Sequence, residues 1–193
     1  MKSRDELHEY WKNPEEKNQP DKYIHHEYRT EYLVNLVEHY IDKSSTILEL
    51  GCNIGRNMNG LRLGGYWNVT GIEINETAKD LMLNQYPALH PSLVAVGAIE
   101  DEVRRLGKRD LIFSMCVLMH IHPDSNWVFE EIAKHTQRCI ITIEDEVKET
   151  WRHCPRNYKE IFEPFGFEQV FEEHVPWGEN GCIARVMKRV GTN

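Results

Sequence analysis

The stretch Ile47-Leu48-Glu49-Leu50-Gly51-Cys52-Asn53-Ile54-Gly55-Arg56-Asn57 places a carboxylate near the end of an apolar run, then a loop with two glycines, then the first residues of a helix. Glycine admits a ligand close to the backbone, and the loop leaving the carboxyl end of a strand is where open parallel sheets bind ligands. A dinucleotide's pyrophosphate calls for G-x-G-x-x-G at a helix N-terminus, and a phosphate-binding loop calls for Gly-Lys-Ser/Thr. Neither is present, since Gly55 is followed by Arg56 and Asn57. Glu49 suits instead a ligand with positive charge, such as an ammonium or a sulfonium. Glu73 lies 22 positions beyond Gly51, near the end of the apolar run Val69–Ile74. At that spacing one carboxylate can accept hydrogen bonds from both hydroxyls of a ribose.

Two histidines are candidate catalytic residues. His120 follows the fourth apolar run, and His153 follows the fifth; in an open sheet both segments overhang the ligand crevice, where an imidazole can take a proton. Around His153 lie Glu144, Asp145 and Glu146, suited to a cationic or hydroxylated substrate, and Arg152 and Arg156, suited to an anionic group. A metal site is not expected. His120 and His122 are two positions apart and do not face one way on a helix, and no third ligand is identifiable.

The elements that must position these residues follow from periodicity. Apolar runs at Thr46–Leu50, Val69–Ile74, Leu93–Val96, Asp110–Met115 and Cys139–Ile143 alternate with helical stretches at Asn57–Leu63, Glu76–Tyr86, Glu100–Leu106, Trp127–His135 and Asn157–Phe165. Strands apolar on both faces and separated by helices predict an α/β fold, a doubly wound, mostly parallel sheet with helices on both faces. Glu168–Val175 and Cys182–Lys188 flank the turn-rich Pro176–Gly181 and predict an antiparallel last strand pair, for seven strands in all. Tyr32, Leu33, Leu36, Val37, Tyr40 and Ile41 form the stripe of an amphipathic helix before the first strand. Residues 1–27, broken by Asn13-Pro14 and Gln19-Pro20, read as a short helix and an irregular arm on a domain spanning 28–193.

Composition narrows the partners. Thirty-one Asp and Glu against 23 Lys and Arg give a net charge of −8, which repels polynucleotides and anionic lipid. No run approaches the roughly 20 apolar residues of a membrane span, and residues 1–23 lack the apolar core of a secretory signal. The chain reads as cytoplasmic, and its five scattered cysteines as reduced, buried thiols.

Taken together, these motifs resemble the class I S-adenosylmethionine-dependent methyltransferases. Glu49-x-Gly51-x-Asn53-x-Gly55 is similar to the family's acidic-x-Gly-x-Gly-x-Gly motif, with Asn53 in place of the middle glycine. Asn tolerates the left-handed backbone such a position requires. Glu73 matches the ribose-binding acid, and Gly97–Asp101 resembles the adenine-side motif, with Ala98 where many relatives carry Asp. Asp110–Met115 and Val117–His122 resemble the fourth strand and the helix start after it. The resemblance spans about residues 28–190. It implies S-adenosyl-L-methionine as cofactor and S-adenosyl-L-homocysteine as product. By the same token, the backbone of Gly51 and Cys52 would lie along the methionine part, Ile74 and Ile99 would sandwich adenine, Glu100 would take the adenine amino group, and Met115 would sit near the sulfonium. The arm would close over the cofactor as a lid, with Tyr23 beside the sulfonium and Arg29 at the methionine carboxylate. The expected acceptor is a small molecule presenting an O, N or S nucleophile. A non-catalytic cofactor-binding partner or sensor and an RNA or protein methyltransferase are the alternatives.

Overall fold

The computed structural model describes residues 2–90, 93–105, 107–177 and 181–191. Helix α1 (Arg4–Lys12) opens on a capping box, in which the Ser3 side chain accepts from the Glu6 amide while Glu6 reaches back to the Ser3 amide. Two short 3₁₀ turns lead to α2 (Glu27–Glu38). Then follow β1 (Ile47–Leu50), α3 (Arg56–Leu63), β2 (Val69–Glu73), α4 (Glu76–Gln85), β3 (Val94–Val96), α5 (Ile99–Glu102), β4 (Arg109–Met115), α6 (Trp127–His135), β5 (Thr136–Glu144), α7 (Tyr158–Phe162), β6 (Phe167–Val175) and β7 (Cys182–Arg189).

The seven strands form one sheet in the order β3-β2-β1-β4-β5-β7-β6. The first five are parallel, and β7 runs antiparallel to both β5 and β6. Successive residues alternate faces, so the continuous apolar runs feed two cores. Ile47, Leu111, Phe113 and Ile141 pack with Leu33, Val37, Met58, Leu61 and Met82 from α2, α3 and α4. Their neighbours Leu48, Ile112 and Ile140 pack with Phe129, Ile132, Tyr158 and Phe162 from α6 and α7. Each fully buried side chain of this size stabilises the fold by roughly 1.5–3 kcal/mol. No described helix is long and apolar enough to cross a membrane.

Two expected helices are shorter than their periodicity suggests. The one expected over Glu100–Leu106 is a single turn, α5, and Leu106 lies outside the described residues. The one expected over Asn157–Phe165 gives way after Phe162 to a 3₁₀ turn that carries Pro164, whose ring clashes with a continuing α-helix. Part of the expected turn Pro176–Gly181 also lies outside the described residues.

From β1 the chain winds outward through β2 and β3 on one side and returns to β4 on the other. The switch in strand order therefore lies between the carboxyl ends of β1 and β4, where the loops part and leave a crevice.

Candidate active site

A cavity of about 340 Å³ occupies this switch point. Its floor begins at Glu49, buried inside β1, whose Oε1 accepts a hydrogen bond from Asn57 Nδ2 at 2.7 Å. Glu49 Oε2 is buried with no partner. Burial pushes the Glu49 carboxyl up to about 8, against the opposing pull of Asn57 and the nearby Arg56.

The loop after β1 then turns sharply. Gly51 has φ +68° and Asn53 φ +47°, so Asn53 adopts the left-handed conformation expected of it. The Asn53 amide donates to Glu73 Oε2 at 2.7 Å, and the Asn75 amide donates to Glu73 Oε1 at 2.8 Å. Glu73 thus clasps the loops after β1 and β2, and a carboxylate has about four lone-pair sites, more than these two amides use. Burial raises its carboxyl above the ordinary range, against those amides and the amide of Ile74.

The two loop glycines do different work. Gly51 borders the cavity, and a Cβ there would lie 2.5 Å from Val117 Cγ2. Gly55, the N-cap of α3 at φ +73°, is not a lining residue; a Cβ there would meet Met82 and Leu89.

The arm forms the roof. Arg4, Leu7, His8 and Trp11 of α1 face the cavity, and so do Tyr23 and Arg29. His8 Nε2 lies 3.1 Å from Glu100 Oε1. Although burial acts to raise the Glu100 carboxyl, His8 and the Glu100 amide hold it below its ordinary value. Arg56 ties the arm down by donating to the Tyr23 carbonyl at 2.7 Å and to Thr30 Oγ1 at 2.9 Å; Thr30 in turn donates to Asn57 Oδ1 at 2.8 Å. A polar chain therefore runs from Glu49 through Asn57, Thr30 and Arg56 to the arm.

Beyond the loops after β1 and β2 the wall becomes aromatic. His120 Nδ1 lies 2.8 Å from the Arg152 carbonyl, which can only accept, so Nδ1 carries the proton and Nε2 keeps its lone pair. The His120 ring sits between Trp11, 4.4 Å away, and His153, 4.9 Å away. Desolvation there lowers the His120 imidazole to about 3, with further lowering by His153 and Arg152, so it is neutral at physiological pH. The turn that presents it is anchored from beneath. Glu144, fully buried at the end of β5, accepts from Ser114 Oγ at 2.5 Å and from the amides of Val117, Leu118 and Met119 at 3.1, 3.2 and 3.3 Å.

Of the residues predicted for the site, Glu49, Gly51, Cys52 and Asn53 line this cavity from the first loop, and Glu73 and Ile74 from the second. Ile99 and Glu100 line it after β3, Met115 at the end of β4 and His120 beyond it, His153 after β5, Tyr23 from the arm and Arg29 from α2. Three residues expected to overhang the crevice do not line it. Glu144 turns inward to the backbone amides, and Glu146 pairs with Arg185 at 2.8 Å. Arg156 donates to the carbonyls of Leu118, Cys154 and Ile121. Asp145 and Arg152 do line it. Sequence reasoning missed Arg4, Leu7, His8, Arg56 and Asn57. For α1 a signal existed in Leu7 and Trp11, one helical turn apart on one face. Among the described residues no group of three or more His, Cys, Asp or Glu side chains is placed to hold a metal ion.

Comparison with known proteins decides the class. Residues 48–138 match the methyltransferase-domain family. The chain thus carries a methyltransferase domain over that span. None of the curated proteins matches it. Among solved structures the chain is similar in fold to magnesium protoporphyrin IX methyltransferase from Synechocystis. With S-adenosylmethionine bound, that enzyme aligns at TM-score 0.76 and 13% identity, covering 98% of each chain. With S-adenosylhomocysteine bound, it aligns at 0.78 and 12%, covering 97% of this chain and 100% of that one. DesVI of Streptomyces venezuelae aligns at 0.65 and 12%, covering 88% and 94%. The molecule that the Synechocystis enzyme holds in this fold is S-adenosylmethionine or its demethylated product. The donor set fits it: a buried, unpartnered carboxylate oxygen on Glu49 meets the need of an ammonium, and the open lone pairs of Glu73 meet that of a diol.

Proposed function

We propose that this methyltransferase acts on a small-molecule acceptor through an O, N or S nucleophile, with residues 1–27 serving as the lid over the site. The observation that carries this reading is the division of one roofed cavity into two chemistries, with paired acids at the β1 and β2 loops and a neutral histidine among aromatic rings beyond them. A roof formed by the chain's own arm suits a compact acceptor, and the net charge of −8 argues against a polynucleotide.

In this reading Glu49 Oε2 takes the ammonium and Arg29 the carboxylate of the methionine part, along the backbone of Gly51 and Cys52. Glu73 takes the ribose hydroxyls, Ile74 and Ile99 enclose the adenine, and Glu100 takes its amino group. Met115 and Tyr23 border the sulfonium. The bound cofactor supplies an electrophilic methyl group, so alignment of the acceptor provides most of the rate. Where the nucleophile carries a proton, His120 Nε2 is the base that accepts it, with His153 stacked behind it.

Titration calorimetry with S-adenosylhomocysteine, joined to a methyl-transfer screen over small hydroxy, amino and thiol compounds, tests the proposal. Binding with turnover of at least one such compound is expected, and turnover confined to RNA or protein would overturn it. Glu73→Gln retains one acceptor for the loop amides and is expected to weaken S-adenosylhomocysteine binding by about tenfold with the fold intact. An unchanged affinity would remove the ribose assignment.

A further inference from the structure

The acceptor end of the cavity carries two groups that can only donate. The Arg152 guanidinium lines it, and three rings surround the group, with centroids of Trp11, Trp151 and Tyr10 at 5.6, 5.9 and 6.0 Å. Among the described residues the contacts recorded for the guanidinium are these rings. Beside it, the Trp11 indole Nε1 is buried with no acceptor. Both groups are donors only, and leaving the buried indole N–H unmet costs roughly 1–3 kcal/mol. The carboxylate at this end, Asp145, accepts from the amides of Val147 and Lys148 at 3.0 and 2.9 Å through Oδ1, which fixes it to its own turn. Arg156, the other arginine of this segment, is spent on carbonyls.

We infer that the methyl acceptor is a flat organic acid whose oxyanion is held by the Arg152 guanidinium and the Trp11 indole N–H. This rests on the methyl-transfer reading above and narrows its substrate class. A guanidinium offers a planar fork matched to a carboxylate or phosphate, and charge-assisted pairs of this kind are among the stronger hydrogen bonds. The contiguous faces of Trp11, His120 and His153 favour a planar body over a branched one. With the anion fixed at Arg152, whose carbonyl also orients His120, the nucleophile is held at a set distance from the His120 lone pair.

The test uses the full chain saturated with S-adenosylhomocysteine and titrated calorimetrically with matched pairs: benzoate and benzamide, salicylate and salicylamide, nicotinate and nicotinamide. Phenyl phosphate and inorganic phosphate form a second arm. At least one organic anion is expected to saturate and to exceed its neutral partner by about tenfold. Arg152→Gln is expected to erase that preference and Arg152→Lys to restore part of it, both with S-adenosylhomocysteine affinity within about twofold of wild type. Trp11→Phe, which keeps the ring and removes the N–H, is expected to weaken the anion about threefold. Carboxylate-only or phosphate-only binding identifies which oxyanion the site takes. Acids and amides binding alike, a preference that survives Arg152→Gln, inorganic phosphate matching phenyl phosphate, or no panel member saturating would each overturn the inference. Failure of S-adenosylhomocysteine itself to bind would instead overturn the cofactor site.

Discussion

Asn57 donates one 2.7 Å hydrogen bond to Glu49 and leaves the second carboxylate oxygen of Glu49 buried and unpartnered. One oxygen is positioned by the fold and the other is held for a ligand. Desolvation of this group raises its carboxyl to about 8, so before a cation arrives the carboxyl holds its proton at neutral pH.

That arrangement couples cofactor binding to proton release. An ammonium beside Glu49 favours the charged carboxylate, lowers its pKa, and expels the proton it carried. At pH 7, S-adenosylhomocysteine binding is expected to release up to about one proton, and affinity is expected to rise between pH 6 and 8. Calorimetry in phosphate and in Tris, whose ionisation enthalpies differ, measures this directly. Equal apparent enthalpies in the two buffers would contradict it, and Glu49→Gln should abolish the proton release.

At Gly51, filling the ligand's approach is only part of what a side chain would do. Its Cβ would lie 2.5 Å from Val117 Cγ2, and φ +68° disfavours any branched residue. Gly51→Ala is expected to lower stability by about 1–3 kcal/mol as well as to weaken cofactor binding. Adding Val117→Ala should recover the packing share of that loss and leave the backbone share. Denaturant melts of the single and double variants separate the two, and identical melts would refute the Val117 contact.

His120 predicts an unusual pH profile. An ordinary imidazole titrates near 6.5, but this one is lowered to about 3, so its Nε2 lone pair stays unprotonated well below neutrality. With an acceptor identified, kcat should show no inflection at pH 6 to 7 attributable to this group. His120→Asn should lower kcat by about 10²–10⁴ if the acceptor's nucleophile is protonated. A profile with a wild-type inflection near 6.5 that the variant loses would show that the ring is solvated and charged in the working enzyme.

The strand order and the glycine-loop site were legible because their signals are local. Continuous apolar runs such as Asp110–Met115 read as doubly covered strands, and Glu73 lay at a fixed spacing from Gly51. What escaped depends on contacts between distant segments. Cys116 and Cys182 stand 66 positions apart, yet their sulfurs approach to 3.7 Å, because β7 runs back beside β5 and starts near the end of β4. His8 reaches Glu100 only because α1 folds across the crevice, and a helix with few apolar residues gives little notice of what it covers. Glu144, Glu146 and Arg156 have the residue types of a substrate site, and their spacing carried no sign that two would turn to backbone groups and one to Arg185.

Glu144 supplies the sharpest stability test, because it joins β5 to the turn that carries His120. Four donors converge on this carboxylate, which favours its charged form, while complete burial opposes that more strongly and raises the carboxyl to about 7. In the unfolded chain the same group titrates near the ordinary 4.5. The folded state therefore holds a proton that the unfolded state releases, and stability falls as pH rises from about 4.5 through 7. Glu49 acts in the same direction up to about 8. His120 has the opposite sign, adding stability as pH rises from about 3 to 6.5 and nothing above that. Between pH 6.5 and 8 the glutamates act alone, so the ligand-free protein should lose up to about 1.4 kcal/mol per pH unit for each proton released. Glu144→Gln should flatten that slope. The same change places an amide NH₂ among donors, and is expected to cost about 1–3 kcal/mol at pH 6 and to loosen the His120 turn. Melting curves from pH 6 to 8 with and without the substitution decide the matter; a ligand-free wild type whose Tm rises across that interval would be incompatible with protonated glutamates at these two positions.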